Sequence, residues 1–204
     1  MRAKKKTIYL AGPEVFLPDA VEVGERKKAL CKAHGFVGLF PFDNETKNIP
    51  AGEREDHLVY RANLSMIRTA DAGIFNLTPF RGVSADPGTV FELGVMIGLG
   101  KPAFGYSNES EDLLTRTRQA EILTLDDGVW RDQHGMSVED YGNADNLMID
   151  ASLAVGGRPI LRRTVQRNQR YRDLGGFEEC LRMARDAFGL PHPLEASKIR
   201  RRAS

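Results

Sequence analysis

The sequence predicts an α/β protein: a parallel sheet of about five strands with helices packed on both faces. Three observations carry that expectation. Short β-branched or aromatic runs alternate with helical stretches, Gly12-Pro13 ends the first run and Pro41 the second, and the order β-α-β-α-β-α-β holds through the first half of the chain. The 204 residues provide a full core for one domain, and 41% hydrophobic with 28% charged residues is an ordinary globular composition. We expect one domain over residues 1–195 and a basic, frayed tail over 196–204.

Taken in order, Thr7 to Ala11 reads as a strand ended by Gly12-Pro13, and Asp19 to His34 as a helix closed by Gly35. Phe36 to Phe40 forms a second strand, followed by the loop Pro41 to Glu45. Glu53 to Ala70 is a longer helix with Leu58, Ala62, Met66 and Ile67 on its apolar side, and Ala72 to Leu77 a third strand. The loop Thr78 to Ala85 leads into a helix that Asp86 can cap and Pro87 can start. Gly100 with Lys101-Pro102 stops it before a fourth strand, Pro102 to Tyr106. Ser107 to Gly142 is a polar excursion with turns at Asp126-Asp127-Gly128 and Gly135 and one helix near Leu113 to Leu123. Asn146 to Val155 is an apolar helix, Pro159-Ile160-Leu161 opens a fifth strand, and Phe177 to Phe188 is an amphipathic last helix. In such sheets ligands bind at the carboxyl ends of the strands, which places a site at Gly12, the Asp43 loop and the Pro79 loop.

A formal net charge of +1 excludes the electrostatic signature of a nucleic-acid or membrane binder. The apolar run Ile8 to Ala11 is too short for a signal peptide or span, so a cytoplasmic location is expected. Cys31 and Cys180 have no ligand spacing and read as buried or free thiols. His34, His57, His134 and His192 form no metal motif, so no metal or organic cofactor is expected. Gly94-x-x-x-Gly98-x-Gly100 is not a dinucleotide fingerprint, no phosphate-binding loop motif is present, and Ser84 lacks a nucleophile-elbow surround.

Carboxylates remain. Glu92 sits in the longest apolar run, between Phe91 and Leu93, where an ionised acid needs a partner or a chemical role. It reads equally as a buried helix residue reaching an Arg or solvent. Asp86, six residues earlier, is first a helix cap and second a partner acid. Two acids in unlike surroundings suit glycosidic cleavage with covalent capture of the sugar. A buried Tyr9 hydroxyl would hold Glu92 in place, while Phe16 either stacks on a planar ring or packs in the core. Gly94 and Gly98, four apart on one helical face, are expected to admit a close backbone.

Ile8-Tyr9, the loop Pro41-Phe42-Asp43-Asn44-Glu45, the run Asp86-Pro87-Gly88-Thr89-Val90-Phe91-Glu92-Leu93-Gly94 and Asn146-Leu147-Met148 together resemble the nucleoside 2-deoxyribosyltransferase family, over about Thr7 to Met148. The resemblance implies a flavodoxin-like (Rossmann-like) three-layer sandwich that moves 2-deoxyribose between purine or pyrimidine bases with retention and without a cofactor. It assigns Glu92 as nucleophile, Asp86 as the carboxyl that helps protonate the departing base, and Tyr9 as the residue orienting Glu92. It places Phe16, Glu45, Asn63 and Gly88 at the substrate. Asn146 and Met148 would complete the site of a neighbouring subunit, so at least a dimer is implied. Two positions depart from the pattern. Asn63 stands where better-known members carry an Asp, shifting acid work to Asp86, and Glu45 stands where some carry a Gln, leaving base preference open.

Two other functions stay open on the sequence. One is an N-glycoside hydrolase of nucleosides or nucleoside 5′-monophosphates, with Arg81 and Ser84 available to a phosphate. Pro87-Gly88-Thr89-x-x-Glu92 faintly resembles phosphoribohydrolases but lacks their double-glycine turn. The other is a non-catalytic nucleotide-binding module.

Overall fold

The structure is a computed structural model that describes residues 4–43, 49 and 52–190. Glu45 and the basic tail, both part of the expectations above, lie outside the described residues. Strand β1 (Thr7–Ala11) is flanked by β2 (Val37–Leu39) and β3 (Ala72–Asn76), and β4 (Ala103–Ser107) and β7 (Leu161–Arg162) continue the sheet. The order is β2-β1-β3-β4-β7, with every pairing parallel. This is the flavodoxin-like α/β arrangement. The strand order reverses at β1/β3, which opens a crevice at the carboxyl ends of these strands.

Both faces of the sheet are covered, which is why its central strands read as nearly continuous apolar runs. Ile8, Leu10, Ala72, Ile74, Phe104 and Tyr106 face α1 (Ala20–Ala33) and α6 (Gly175–Ala187), where Val23, Cys31, Phe177, Cys180 and Leu181 close one core layer. Tyr9, Ala11 and Phe75 face the other way, toward Met66 and Ile67 of α2 (Glu55–Thr69), Leu93 and Met96 of α3 (Pro87–Gly98), and Ile149 and Leu153 of α5 (Leu147–Ala154). Side chains alternate across a strand, so Tyr9 and Leu10 must lie in different layers. That parity puts the Tyr9 hydroxyl on the side of α3.

Helix α2 begins at Glu55, two residues later than expected, with its last turn tied to the start of β4. Lys101 Nζ donates to the carbonyls of Ile67 (2.9 Å) and Ala70 (2.7 Å), acceptors left over at a helix end. The excursion after β4 holds the expected helix, α4 (Leu113–Ala120), and also a hairpin of β5 (Thr124–Asp126) and β6 (Val129–Arg131). Asp127 and Gly128 both have positive φ, 47° and 77°, the geometry of a two-residue hairpin turn for which Asp-Gly is favoured. One expectation fails outright. Gly94 and Gly98 share a face, but it is an exposed one, and a Cβ at either would meet open space. Their spacing reflects helical period alone.

Candidate active site

Helix α3 carries the two acids, and its start fixes them. Asp86 Oδ2 accepts from Thr89 N (2.8 Å) and Thr89 Oγ1 (3.0 Å), an N-cap followed by Pro87 in the first helical turn. Gly88 lies within reach of the same carboxylate, since a Cβ there would sit 3.1 Å from Asp86 Oδ2. Glu92 is partly buried, whereas its neighbour Phe91 is 54% exposed, so the apolar run around Glu92 is not buried as a whole. The company of Glu92 is polar. Tyr9, fully buried, donates its hydroxyl to Glu92 Oε1 at 2.7 Å, and Asn63 Nδ2 of α2 reaches the same oxygen at 3.3 Å.

Burial pushes the Glu92 carboxyl up to about 7, the bonds from Tyr9 and Asn63 oppose that rise, and the nearby charge of Asp86 adds to it. The Tyr9 phenol is driven well above its usual range by burial first, then by the charge of Glu92. The carboxyl therefore changes charge near neutral pH, beside a hydroxyl that stays protonated and can only donate to it.

A cleft of about 490 Å³ opens over this group, within the size range of small-molecule sites. Glu92, Asp86, Asn63, Gly88 and Phe16 all line it, with Tyr9 behind Glu92. Asn146 and Met148 do not line it. Asn146 caps α5 through Oδ1, accepting from Met148 N at 3.0 Å, and donates to Glu139 Oε1 at 2.6 Å, while Met148 is 72% exposed. The sequence reading put the Asp43 loop, which carries Phe42, at the rim but missed Glu55 and Val59, which also line the cleft. Glu55, Val59 and Asn63 recur every four residues, a helical stripe that a mixed polar and apolar sequence does not announce.

The outer aromatic wall is stacked. Phe16 lies on Phe80 with centroids 5.0 Å apart and planes 11° from parallel, and the Arg81 guanidinium covers both rings, at 4.6 Å from Phe80 and 5.2 Å from Phe16. Arg81 has φ 55°, a left-handed conformation uncommon for a side chain of its size. Thus one face of Phe16 is already occupied within the chain.

A buried polar chain holds this wall from below. Lys27 Nζ donates to Glu14 Oε1, both fully buried, and Asn76 Nδ2 donates to Glu14 Oε2 at 2.9 Å. Asn76 Oδ1 accepts from Thr78 Oγ1 (2.6 Å), which in turn accepts from Asn108 N (2.9 Å). Glu14 lies in the turn Pro13–Phe16, so the chain ties Phe16 to the ends of β3 and β4. Gly12 is required here, because a Cβ would meet Glu14 Oε2 and, at 2.6 Å, Asn76 Cβ. Removing one partner of a buried ion pair leaves a bare charge, so Lys27→Met should lower the unfolding free energy by roughly 3–5 kcal/mol. Urea denaturation checks this, and adding Glu14→Gln should recover most of the loss.

The loop before Asp86 is anchored by the far end of the excursion. Buried Asp145 accepts from Ser84 Oγ, from Ala85 N (2.8 Å) and from Asn146 N (2.8 Å). Arg116 of α4 donates to the carbonyls of Val83 (2.8 Å) and Ala144 (2.7 Å). Among the described residues no group of three or more His, Cys, Asp or Glu side chains could hold a metal. No described helix is long and apolar enough to cross a membrane.

Fold and site together define a flavodoxin-like α/β protein with an acid-floored, aromatic-walled cleft at the sheet's switch point. The chain belongs to the nucleoside 2-deoxyribosyltransferase family, whose model matches residues 8–148. Among solved structures, a 2-deoxyribosyltransferase from Leishmania mexicana is similar at 34% identity and a TM-score of 0.55, covering 71% of this chain and 85% of that one. A conserved protein from Enterococcus faecalis V583 shares the fold at 15% identity and a TM-score of 0.51, covering 89% of this chain and 99% of that one. A Schizosaccharomyces pombe protein described as uncharacterized is 29% identical over 168 residues, 76% of this chain and 80% of that protein.

Proposed function

We propose that the protein exchanges the base of 2-deoxyribonucleosides through a covalent deoxyribosyl intermediate on Glu92. The observation that carries this reading is the carboxylate of Glu92 at the floor of the cleft, held by Tyr9 and Asn63 and poised near neutral pH. Family membership supports the same chemistry. In the first half-reaction a Glu92 oxygen forms a bond to the anomeric carbon while the bond from that carbon to the base nitrogen breaks. The electron pair leaves with the base, and the departing base takes up a proton with the help of Asp86. Asp86 Oδ2 is engaged by the cap, so its other oxygen is the one offered to the base. A second base then attacks from the side the first one left, releasing Glu92, and two inversions give net retention. Oriented donors around Glu92 need no rearrangement as its charge is consumed and restored.

The test is incubation with deoxyadenosine and free cytosine. Deoxycytidine supports the reading. Free deoxyribose alone points to hydrolysis by the same nucleophile, and no reaction points to a binding module.

Completion of the cleft by a second copy is part of the proposal. Asn146 and Met148 lie outside the chain's own cleft, on a surface where Leu147 and Met148 are exposed, and this supports their meeting another subunit's site. Asn146→Ala should raise the KM for nucleoside about tenfold or more. Mixing it with inactive Glu92→Ala should restore activity, because a mixed dimer holds one site with both wild-type residues. If mixtures stay at the level of the Asn146→Ala component, the shared site is lost as an explanation.

A further inference from the structure

The outer end of the cleft carries an acid that the chemistry above leaves unused. Glu55, in the first turn of α2, lines the cleft on the same helical stripe as Val59 and Asn63. Asn63 reaches Glu92 at the floor, and Glu55 lies two turns away, about 12 Å along the helix axis. The neighbouring charges are otherwise engaged. Arg54 holds Asp56 through two bonds (3.0 and 2.7 Å), and Arg61 pairs with Glu53. Among the described residues Glu55 has neither an ion pair nor a side-chain hydrogen bond.

A sugar seated at Glu92 would direct its base outward along this stripe, between the aromatic residues Phe16 and Phe42. The edge of the base remote from the sugar would then meet Glu55. A carboxylate only accepts hydrogen bonds. It matches an amino group at that edge, as in adenine or cytosine, and opposes the carbonyl that hypoxanthine or uracil places there. Glu55 is exposed at the cleft mouth, so water still reaches its solvent side, and a ring in the cleft meets only the oxygen turned toward it, where a carbonyl would face it unmatched.

We propose that Glu55 is a specificity-determining residue that selects amino-bearing bases, adenine and cytosine, over their oxo counterparts. The assignment rests on the base-exchange reading. The matched pairs adenine with hypoxanthine and cytosine with uracil differ little in shape, so discrimination between them reports the polar edge.

The experiment is acceptor competition, with deoxyadenosine as donor and each matched pair, isotopically labelled, supplied at equal concentration to wild type, Glu55→Gln and Glu55→Ala. Wild type should favour the amino base about tenfold or more, the scale of a hydrogen bond to a charged group. The ratio should fall toward unity in Glu55→Ala, and in Glu55→Gln as well, because an amide both donates and accepts. Exchange by wild type with a ratio that neither substitution moves overturns the assignment alone. A lowered Tm with an unmoved ratio does the same, marking Glu55 as a helix-terminus charge. No exchange by wild type overturns the base-exchange reading and this assignment with it.

Discussion

Replacing Glu92 by Gln should abolish base exchange, with kcat falling on the order of 10⁴-fold or more, while making the protein more stable above neutral pH. Loss of activity follows because the amide cannot form the glycosyl ester. The stability gain follows from linkage. The Glu92 carboxyl is raised from 4.5 to about 7 in the folded protein, so between those values the native state keeps a proton that the unfolded chain has released. Its contribution is therefore fully present below pH 4.5 and is lost as pH rises through 7. Gln has no such dependence. Relative to wild type, the variant should gain on the order of 3 kcal/mol between pH 4 and pH 8, measured by urea unfolding at both values. A flat difference would show that Glu92 is as well solvated in the fold as outside it, and full exchange activity would end the covalent mechanism.

Replacing Tyr9 by Phe should move the acidic limb of the kcat profile to higher pH by about one unit or more, the scale of a lost hydrogen bond to a charged group. The sign comes from the roles of the two groups. Tyr9 donates to Glu92 Oε1 and favours the ionised carboxylate, so its removal raises the carboxyl further and leaves Asn63 as the one remaining donor of the two. Exchange at pH 6 should then fall roughly fivefold more than at pH 8. A uniform loss at every pH would assign Tyr9 to packing instead, since the ring fills a fully buried position between β1 and α3.

These residues were legible in the sequence to different degrees, for physical reasons. β1 and β3 announced themselves because burial on both faces forces apolar runs, and the position of Tyr9 within β1 already fixed the layer it faces. The α3 start was readable because Asp, Pro and Thr at that spacing satisfy a helix terminus locally. The hairpin was not predicted, although Asp127-Gly128 marked its turn, because β5 is wholly exposed and carries no burial pattern. Glu14 and Lys27, thirteen residues apart, carry no local signal of a partner, and only the tertiary fold brings them together in the core. Glu55 was passed over for a related reason: a helix face turned to a cleft needs no apolar stripe. Gly94 and Gly98 err in the opposite direction, since regular spacing suggested packing where the helix faces outward.

The Arg116 and Asp145 anchors give the excursion between them a particular standing. Both reach back to the loop that ends at Asp86, and the hairpin lies wholly within the span they enclose. The two clamps act as a stem whose hairpin, β5 and β6, can be shortened, lengthened or exchanged without altering how Ser84 and Ala85 are held, while Glu139 outside the hairpin still holds Asn146 and Leu147 N. A protein engineer can thus graft a peptide at Asp127-Gly128 at little risk to the acids a few residues downstream of the stem.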